Sequence, residues 1–231
     1  MSRSLLKPIA LACLALGAVQ AHADSVDFLG FANGSETVNY TLTAPNVAKS
    51  SSTNAGGFST VLNGGPTFTS YCVDLYETIS FGDPAYTNYS LVDGSAHFIA
   101  PHAAADADIG KLFSAGHLVN NAKTQAAFQI AIWEIAYETG GSYNLSTGTA
   151  QFSGGTAASS GALMLATSWL GSLDSNTMDV KVLESLSIRN IKGHQDVVFA
   201  QAVPEPSTYA LMAAGLMSIC FVARRRSQKQ R

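Results

Sequence analysis

The sequence has few charged side chains, which make up 13% of its 231 residues. A globular domain usually has about a quarter. This low fraction excludes a polyelectrolyte and a charged disordered tail. The 47% hydrophobic content and the chain length instead predict one or two folded domains with a sizeable core.

Several motifs of metal, cofactor and hydrolase chemistry are missing. The sequence has no His-Glu-x-x-His, no Gly-x-Ser-x-Gly, no phosphate loop and no dinucleotide fingerprint. A glycoside hydrolase would depend only on scattered carboxylates, whose separation the sequence does not give. We therefore predict a protein that is not an enzyme, with no metal and no cofactor. The candidates for metal ligands are His97, His102, His117 and His194, and the candidates for the paired carboxylates of a glycoside hydrolase are Asp74, Glu77 and Asp83.

Cysteine is also scarce, with three in the chain. Cys13 and Cys220 lie in apolar terminal stretches, so Cys72 is the only cysteine of the central region. A disulfide within that region is therefore excluded. In an exported protein a lone thiol is a buried inert side chain, half of an intermolecular bridge, or a reactive group.

The N-terminus has the three parts of a secretory signal peptide. Arg3 and Lys7 make the first seven residues basic, the apolar run Ile9–Val19 is too short to span a membrane, and Ala21-His22-Ala23 supplies small residues before a cleavage site. We predict a signal peptide over residues 1–23, with Asp24 as the first residue of the exported domain.

The C-terminus again has three parts in a fixed order. Val203-Pro204-Glu205-Pro206 is stiff because each proline fixes its own φ and restricts the preceding residue. Thr208–Ala223 is uncharged and apolar, near the lower length limit of a membrane helix. The cluster Arg224-Arg225-Arg226 follows, and such clusters stay in the cytoplasm.

This combination resembles the PEP-CTERM sorting signal of Gram-negative bacteria, over residues 203–231. The resemblance implies that an exosortase recognises the tail and removes it near the Pro-Glu-Pro motif. It also implies a membrane-anchored precursor that becomes a cell-surface or extracellular-matrix protein. Such proteins are commonly linked to exopolysaccharide and biofilm production.

The region between the two ends is acidic. Residues 24–203 contain 15 Asp+Glu and 6 Lys+Arg, a formal charge of −9. This charge argues against binding to nucleic acid and against charge-based binding to an anionic polysaccharide. Carbohydrate binding by stacking or hydrogen bonding remains open, and the aromatic candidates for it are Tyr71, Tyr76, Phe81, Tyr86 and Tyr89.

The hydrophobic pattern predicts an α+β domain over residues 24–202. Strands are expected at residues 37–42, 67–75, 88–92, 178–183 and 196–200, and helices at residues 102–119, 121–137 and 162–173. Residues 49–57 and 153–160 are rich in Ser and Gly and predict loops, and Asn63-Gly64 predicts a hairpin turn. The expected architecture is a mainly antiparallel β-sandwich or barrel with a helical insertion.

One pair of motifs in this domain carries chemistry. Tyr71-Cys72-Val73-Asp74 ends an expected strand, and Gln129-Ile130-Ala131-Ile132-Trp133 lies in the most apolar expected helix. Gln129 sits at the edge of the apolar helix face, where a buried amide needs a partner. The two motifs resemble those of the thioester domains of bacterial surface proteins.

In that family the Cys thiol and the Gln side chain join as an internal thioester with loss of ammonia, which here implies Cys72 and Gln129. Trp133 belongs to the apolar part of the Gln motif, and Asp74 or Glu134 is a candidate to move protons. We predict covalent attachment to an amine-bearing partner, as in adhesion. A non-covalent structural or carbohydrate-binding matrix component is the alternative.

Overall fold

The computed structural model describes residues 23–201 except 45, 83, 100, 140, 174 and 186–192. The predicted signal peptide before residue 23 and the predicted sorting segment, residues 203–231, lie outside the described residues. The strands are Asp24–Phe31 (β1), Glu36–Leu42 (β2), Lys49–Ala55 (β3), Phe58–Leu62 (β4), Thr67–Cys72 (β5), Tyr86–Asp93 (β6), Ala150–Ser153 (β7), Val180–Ser185 (β8) and Val197–Ala200 (β9). The helices are Gly94–His97 (α1), Ala104–Ser114 (α2), Ala122–Tyr137 (α3), Gly155–Ser160 (α4) and Ala162–Leu170 (α5).

Six strands form a closed antiparallel barrel in the order β1-β4-β5-β9-β8-β6. Closure pairs every strand on both sides and leaves no exposed sheet edge. The predicted choice between sandwich and barrel is thus resolved in favour of the barrel. Its core is filled by fully buried apolar side chains from several strands, among them Val26, Phe28, Tyr89, Val182 and Val198.

A second sheet has the order β3-β2-β7 and lies beside α3 and α4. In β2, Val38, Tyr40 and Leu42 are buried and their neighbours are more exposed, as the predicted alternation requires. The helices occur in the chain between β6 and β8, which confirms the predicted helical insertion.

Helix α3 is the central helix, with 12 of its 16 residues buried. It contacts strands of both sheets as well as α2, α4 and α5. A helix that is apolar on nearly every side is stable only when other elements surround it. The predicted second helix is therefore confirmed, and it lies between the barrel and the smaller sheet.

Two predicted loops are wrong. Residues 49–55 form β3, which pairs with β2 along its whole length. Glu36 lies opposite Ala55 at one end, and Leu42 lies opposite Lys49 at the other. Backbone pairing makes this strand while its Ser side chains face outward, so the sequence has no apolar alternation to reveal it. Gly155–Ser160 is the short helix α4, where Ala157 is buried and Thr156 exchanges hydrogen bonds with Thr37 of β2.

The predicted hairpin turn between β4 and β5 is confirmed. Asn63 and Gly64 both have positive φ, 52° and 69°, a conformation that Asn and Gly adopt at least cost. The hairpin sets the pairing of Phe58 with Ser70 and so the position at which β5 ends. In the part of the chain that the structure describes, no helix has the length and apolarity needed to cross a membrane.

Candidate functional site

The end of β5 and the middle of α3 bring Cys72 and Gln129 together, although they are 57 residues apart in the chain. The backbone N–H of Cys72 donates to Gln129 Oε1 at 2.9 Å, and Gln129 Nε2 donates to the Cys72 carbonyl at 2.8 Å. The side-chain amide thus pairs with Cys72 as a neighbouring strand would. Both residues are buried, Cys72 at 1% exposure and Gln129 at 0%.

A second buried amide lies one helical turn earlier, at Gln125. Its Oε1 accepts from the Gly57 N–H at 3.1 Å and from the Tyr71 hydroxyl at 3.0 Å. Gly57 allows this approach, because a Cβ there would lie 2.6 Å from Gln125 Oε1. Gln125 and Gln129 together fix α3 against the barrel, with Gln129 opposite Cys72.

The Cys72 sulfur is held in a largely apolar environment. Its Sγ donates a hydrogen bond to the Asp74 carbonyl at 3.0 Å. Burial raises the pKa of the Cys72 thiol well above its usual value, and the nearby Trp133 indole opposes this effect. The negative charges of Asp74 and Asp196 raise the pKa of Cys72 further. The sulfur is therefore a neutral thiol at neutral pH.

Trp133 lies one turn after Gln129 and is 1% exposed. Its ring is nearly parallel to that of Phe152, with 6.0 Å between the ring centroids and an interplanar angle of 10°. Cys72 and Trp133 line one cavity of about 170 Å³, together with Gln195 and several apolar side chains. We call this space the thiol cavity.

The Asp74 carboxylate faces a different space. Its Oδ1 accepts from the Tyr76 N–H at 2.7 Å, and it lines a cavity of about 320 Å³ with Tyr76, His97 and Asp196. We call this space the acidic cavity. Burial raises the pKa of Asp196 to about 7 and also raises the pKa of Asp74. Asp74 thus meets the Cys72 sulfur through its backbone carbonyl.

Glu134 is fully buried on α3. Its Oε1 accepts from the Asn144 N–H at 2.6 Å, and its Oε2 has no hydrogen-bond partner among the described residues. Burial raises the pKa of Glu134 to about 7. The Glu134 carboxylate does not line the thiol cavity.

Two residues that contact the segment after Cys72, Gln195 and Asp196, were not predicted from the sequence as part of the site. Gln195 Nε2 donates to the carbonyls of Asp74 and Glu77, at 2.9 Å and 3.3 Å, and so holds the segment after Cys72. The Asp196 carbonyl accepts from the Val73 N–H at 2.9 Å. Both lie just before β9, and only the pairing of β9 with β5 brings them to the site. No local pattern in the sequence predicts that β9 pairs with β5.

The aromatic surface expected for stacking on sugars is not formed as predicted. Tyr71 and Tyr89 are 4% and 0% exposed, and their hydroxyls bond to Gln125 and to the Gln195 carbonyl. Both rings are packed inside the protein, so no sugar ring stacks on them. Over the described residues, no group of three or more His, Cys, Asp or Glu side chains is placed to hold a metal ion.

Comparison with known proteins identifies the C-terminal segment. The family described as the PEP-CTERM protein-sorting motif matches residues 202–226, which include the predicted Val203–Pro206 motif and the cluster Arg224–Arg226. The chain therefore carries a sorting motif of the kind that exosortases process in exported proteins. No curated protein matches the chain. No solved structure matches it either.

Proposed function

We propose that this chain is an exosortase-processed protein of the bacterial surface or extracellular matrix whose domain forms an internal thioester between Cys72 and Gln129. The thioester attaches the protein covalently to an amine-bearing partner in adhesion or biofilm formation. One observation supports this proposal above all others. The Gln129 carboxamide is held against Cys72 by two hydrogen bonds, 2.9 Å and 2.8 Å long.

This arrangement suits attack of the Cys72 sulfur on the side-chain carbonyl carbon of Gln129. In the resulting tetrahedral intermediate, negative charge develops on Oε1, to which the Cys72 N–H already donates. The bond from the carbonyl carbon to Nε2 then breaks, and ammonia leaves with the thiol proton. One S–C bond replaces one N–C bond, and no oxidant or reductant is needed.

Burial supports both the formation and the survival of the bond. Cys72 and Gln129 are 1% and 0% exposed, so water reaches the thioester rarely and its hydrolysis is slow. Because burial raises the pKa of the Cys72 thiol, the proton stays on sulfur until attack and is available for the leaving ammonia.

When the partner is captured, the Cys72 sulfur is the leaving group, whereas it is the nucleophile when the thioester forms. An amine of the partner attacks the acyl carbon, a substituted amide forms at Gln129, and Cys72 is released as a free thiol. A thiol leaves more readily than an amine, so the thioester acylates an amine that Gln129 itself would not.

The full chain is expressed, and the test is the intact mass of the protein recovered from the exported fraction. Wild type is expected to be lighter by one ammonia than the mass calculated for its termini, and methylamine should add its full mass and expose one thiol. Cys72→Ala and Gln129→Ala should show no deficit. Gln151→Ala, the same change at a glutamine outside the site, should retain it. Full mass in freshly prepared wild type would contradict the proposal.

The acidic cavity favours a second candidate function, non-covalent binding of an uncharged glycan in the matrix. Asp74, His97 and Asp196 offer hydrogen-bonding groups to sugar hydroxyls, and Tyr76 offers an aromatic ring. Binding of a neutral polysaccharide that survives both Cys72→Ala and Gln129→Ala, in a wild type of full mass, would favour this candidate over the thioester.

A further inference from the structure

A buried hydrogen-bond donor without a partner lies beside the Cys72 sulfur. Trp133 is 1% exposed, and among the described residues its Nε1–H makes no hydrogen bond that meets normal distance and angle limits. Buried N–H groups are rarely left without a partner, because each one then loses its bonds to water without replacement. The exception at Trp133 therefore needs an explanation.

The position of this donor is fixed. Trp133 is held by its place on α3, one turn after Gln129, and by its packing against the Phe152 ring at 6.0 Å. Its ring lines the thiol cavity together with Cys72, so the indole and the thiol share one space. The indole also acts on the thiol electrostatically, since its nearby N–H lowers the pKa that burial raises.

The thiol cavity leads from the surface to these two groups. Asn54, Thr78 and Phe81 at its rim are exposed, whereas Cys72 and Trp133 are buried. Its remaining wall includes the apolar side chains of Phe31, Phe58 and Ile79, and among the residues that the structure describes no charged side chain lines it. Such a lining suits a neutral amine, because it offers no carboxylate that would hold the amine in its protonated form.

We propose that the Trp133 indole N–H is the hydrogen-bond donor to the Cys72 sulfur while that sulfur carries negative charge, and that the amine reaches the thioester through the thiol cavity. This inference rests on the proposed thioester and adds a catalytic residue and a route to it. The Asp74 carbonyl can only accept a hydrogen bond from the sulfur. The indole N–H is the donor that completes the site.

The donor acts in both directions of the chemistry. During thioester formation it stabilises the sulfur as its proton passes to the departing ammonia. During capture the S–C bond breaks, its electron pair stays on sulfur, and a proton from the attacking amine restores the thiol. In both steps charge develops on the same atom, beside a donor that needs no reorganisation.

The two tryptophans of the chain give a matched pair of variants. Trp133→Phe removes the N–H and keeps most of the ring, and Trp169→Phe makes the same change where the indole stacks on His117 at 4.3 Å. In the full chain, we expect Trp133→Phe to slow the reaction with methylamine about tenfold. Trp169→Phe should react at the wild-type rate. Equal rates for wild type and Trp133→Phe would overturn the inference.

A second measurement separates this inference from the thioester itself. In a Gln129→Ala background no thioester forms, and the pH dependence of Cys72 alkylation by iodoacetamide reports the thiol directly. Adding Trp133→Phe should move that profile to higher pH by about one unit, whereas adding Trp169→Phe should not. An unmoved profile would overturn the N–H to sulfur contact. A wild type without the ammonia deficit would defeat the thioester, and the alkylation profile would still decide the contact.

Discussion

Glu134 couples the stability of this protein to pH through a single buried carboxyl group. Burial raises its pKa from the usual 4.5 to about 7, against the opposing hydrogen bond from Asn144. Between these two values the folded protein keeps a proton that the unfolded chain releases. The contribution of Glu134 to stability is therefore complete below about pH 4.5 and is lost as the pH rises through about 7.

Glu134→Gln should remove this part of the pH dependence. The neutral amide keeps an oxygen for the Asn144 N–H and has no proton to lose. From about pH 5 to about pH 8, we expect wild type to lose on the order of 2 kcal/mol more of its free energy of unfolding than the variant does. Urea titrations followed by tryptophan fluorescence measure this difference.

Asp196→Asn is the natural comparison for that variant. Burial also raises the pKa of Asp196 to about 7, and its carboxylate accepts from the Ser185 N–H at 2.7 Å. Each single variant should flatten the pH dependence in part, and the double variant should flatten it further, because the two groups titrate in the same range. A Glu134→Gln protein with the wild-type pH dependence would show that Glu134 ionises normally.

Helix α3 carries most of the site, so the way it begins matters for function. Asn121 caps its N-terminus with a capping box: Asn121 Oδ1 accepts from the Thr124 N–H at 3.1 Å, and the Asn121 N–H donates to Thr124 Oγ1 at 3.1 Å. The next turns present Gln125, Gln129 and Trp133 toward the barrel.

Asn121→Ala should lower the free energy of unfolding by about 1 kcal/mol, because the Thr124 N–H loses its acceptor. The neighbouring Asn120→Ala is the control, since the Asn120 side chain does not cap α3 and bonds to the Asn121 side chain. Thermal unfolding of the two variants measures the difference. Equal stability for both would show that the capping box contributes nothing.

Local signals explain which elements could be predicted from the sequence. The Asn121 cap, the apolar face of α3 and the Asn63-Gly64 turn each depend on residues close in the chain, and the structure contains all three. Strand β3 and helix α4 were missed because they form against β2, and their own side chains are mostly polar.

The residues of the candidate site also fall into two groups, those that local motifs predicted and those that only the fold brings together. Two short motifs drew attention to Cys72 and Gln129, and in the structure the Cys72 N–H donates a hydrogen bond to Gln129 Oε1. Gln195 and the Asp196 carboxyl were not recognisable, because the closure of the barrel through β9 brings them to Cys72 from more than a hundred residues away.

At the scale of the whole chain, an acidic barrel domain is followed by a sorting motif of opposite charge. Residues 24–203 carry a formal charge of −9, and the matched motif ends in Arg224, Arg225 and Arg226. The match to the sorting motif ends at residue 226. Lys229 and Arg231 lie beyond it, so substitutions at these two residues can serve as a control for substitutions within the motif.

Replacing Pro204, Glu205 and Pro206 together by Ala should block removal of the tail in cells that carry an exosortase. Each proline restricts its own φ and the residue before it, and Ala restores the conformational freedom that a protease must then restrict. An epitope tag placed after Arg231 should then remain on most of the exported protein and locate it in the membrane fraction. Lys229→Ala with Arg231→Ala should lose the tag as wild type does. If the triple variant loses the tag to the same extent as wild type, processing does not depend on this motif.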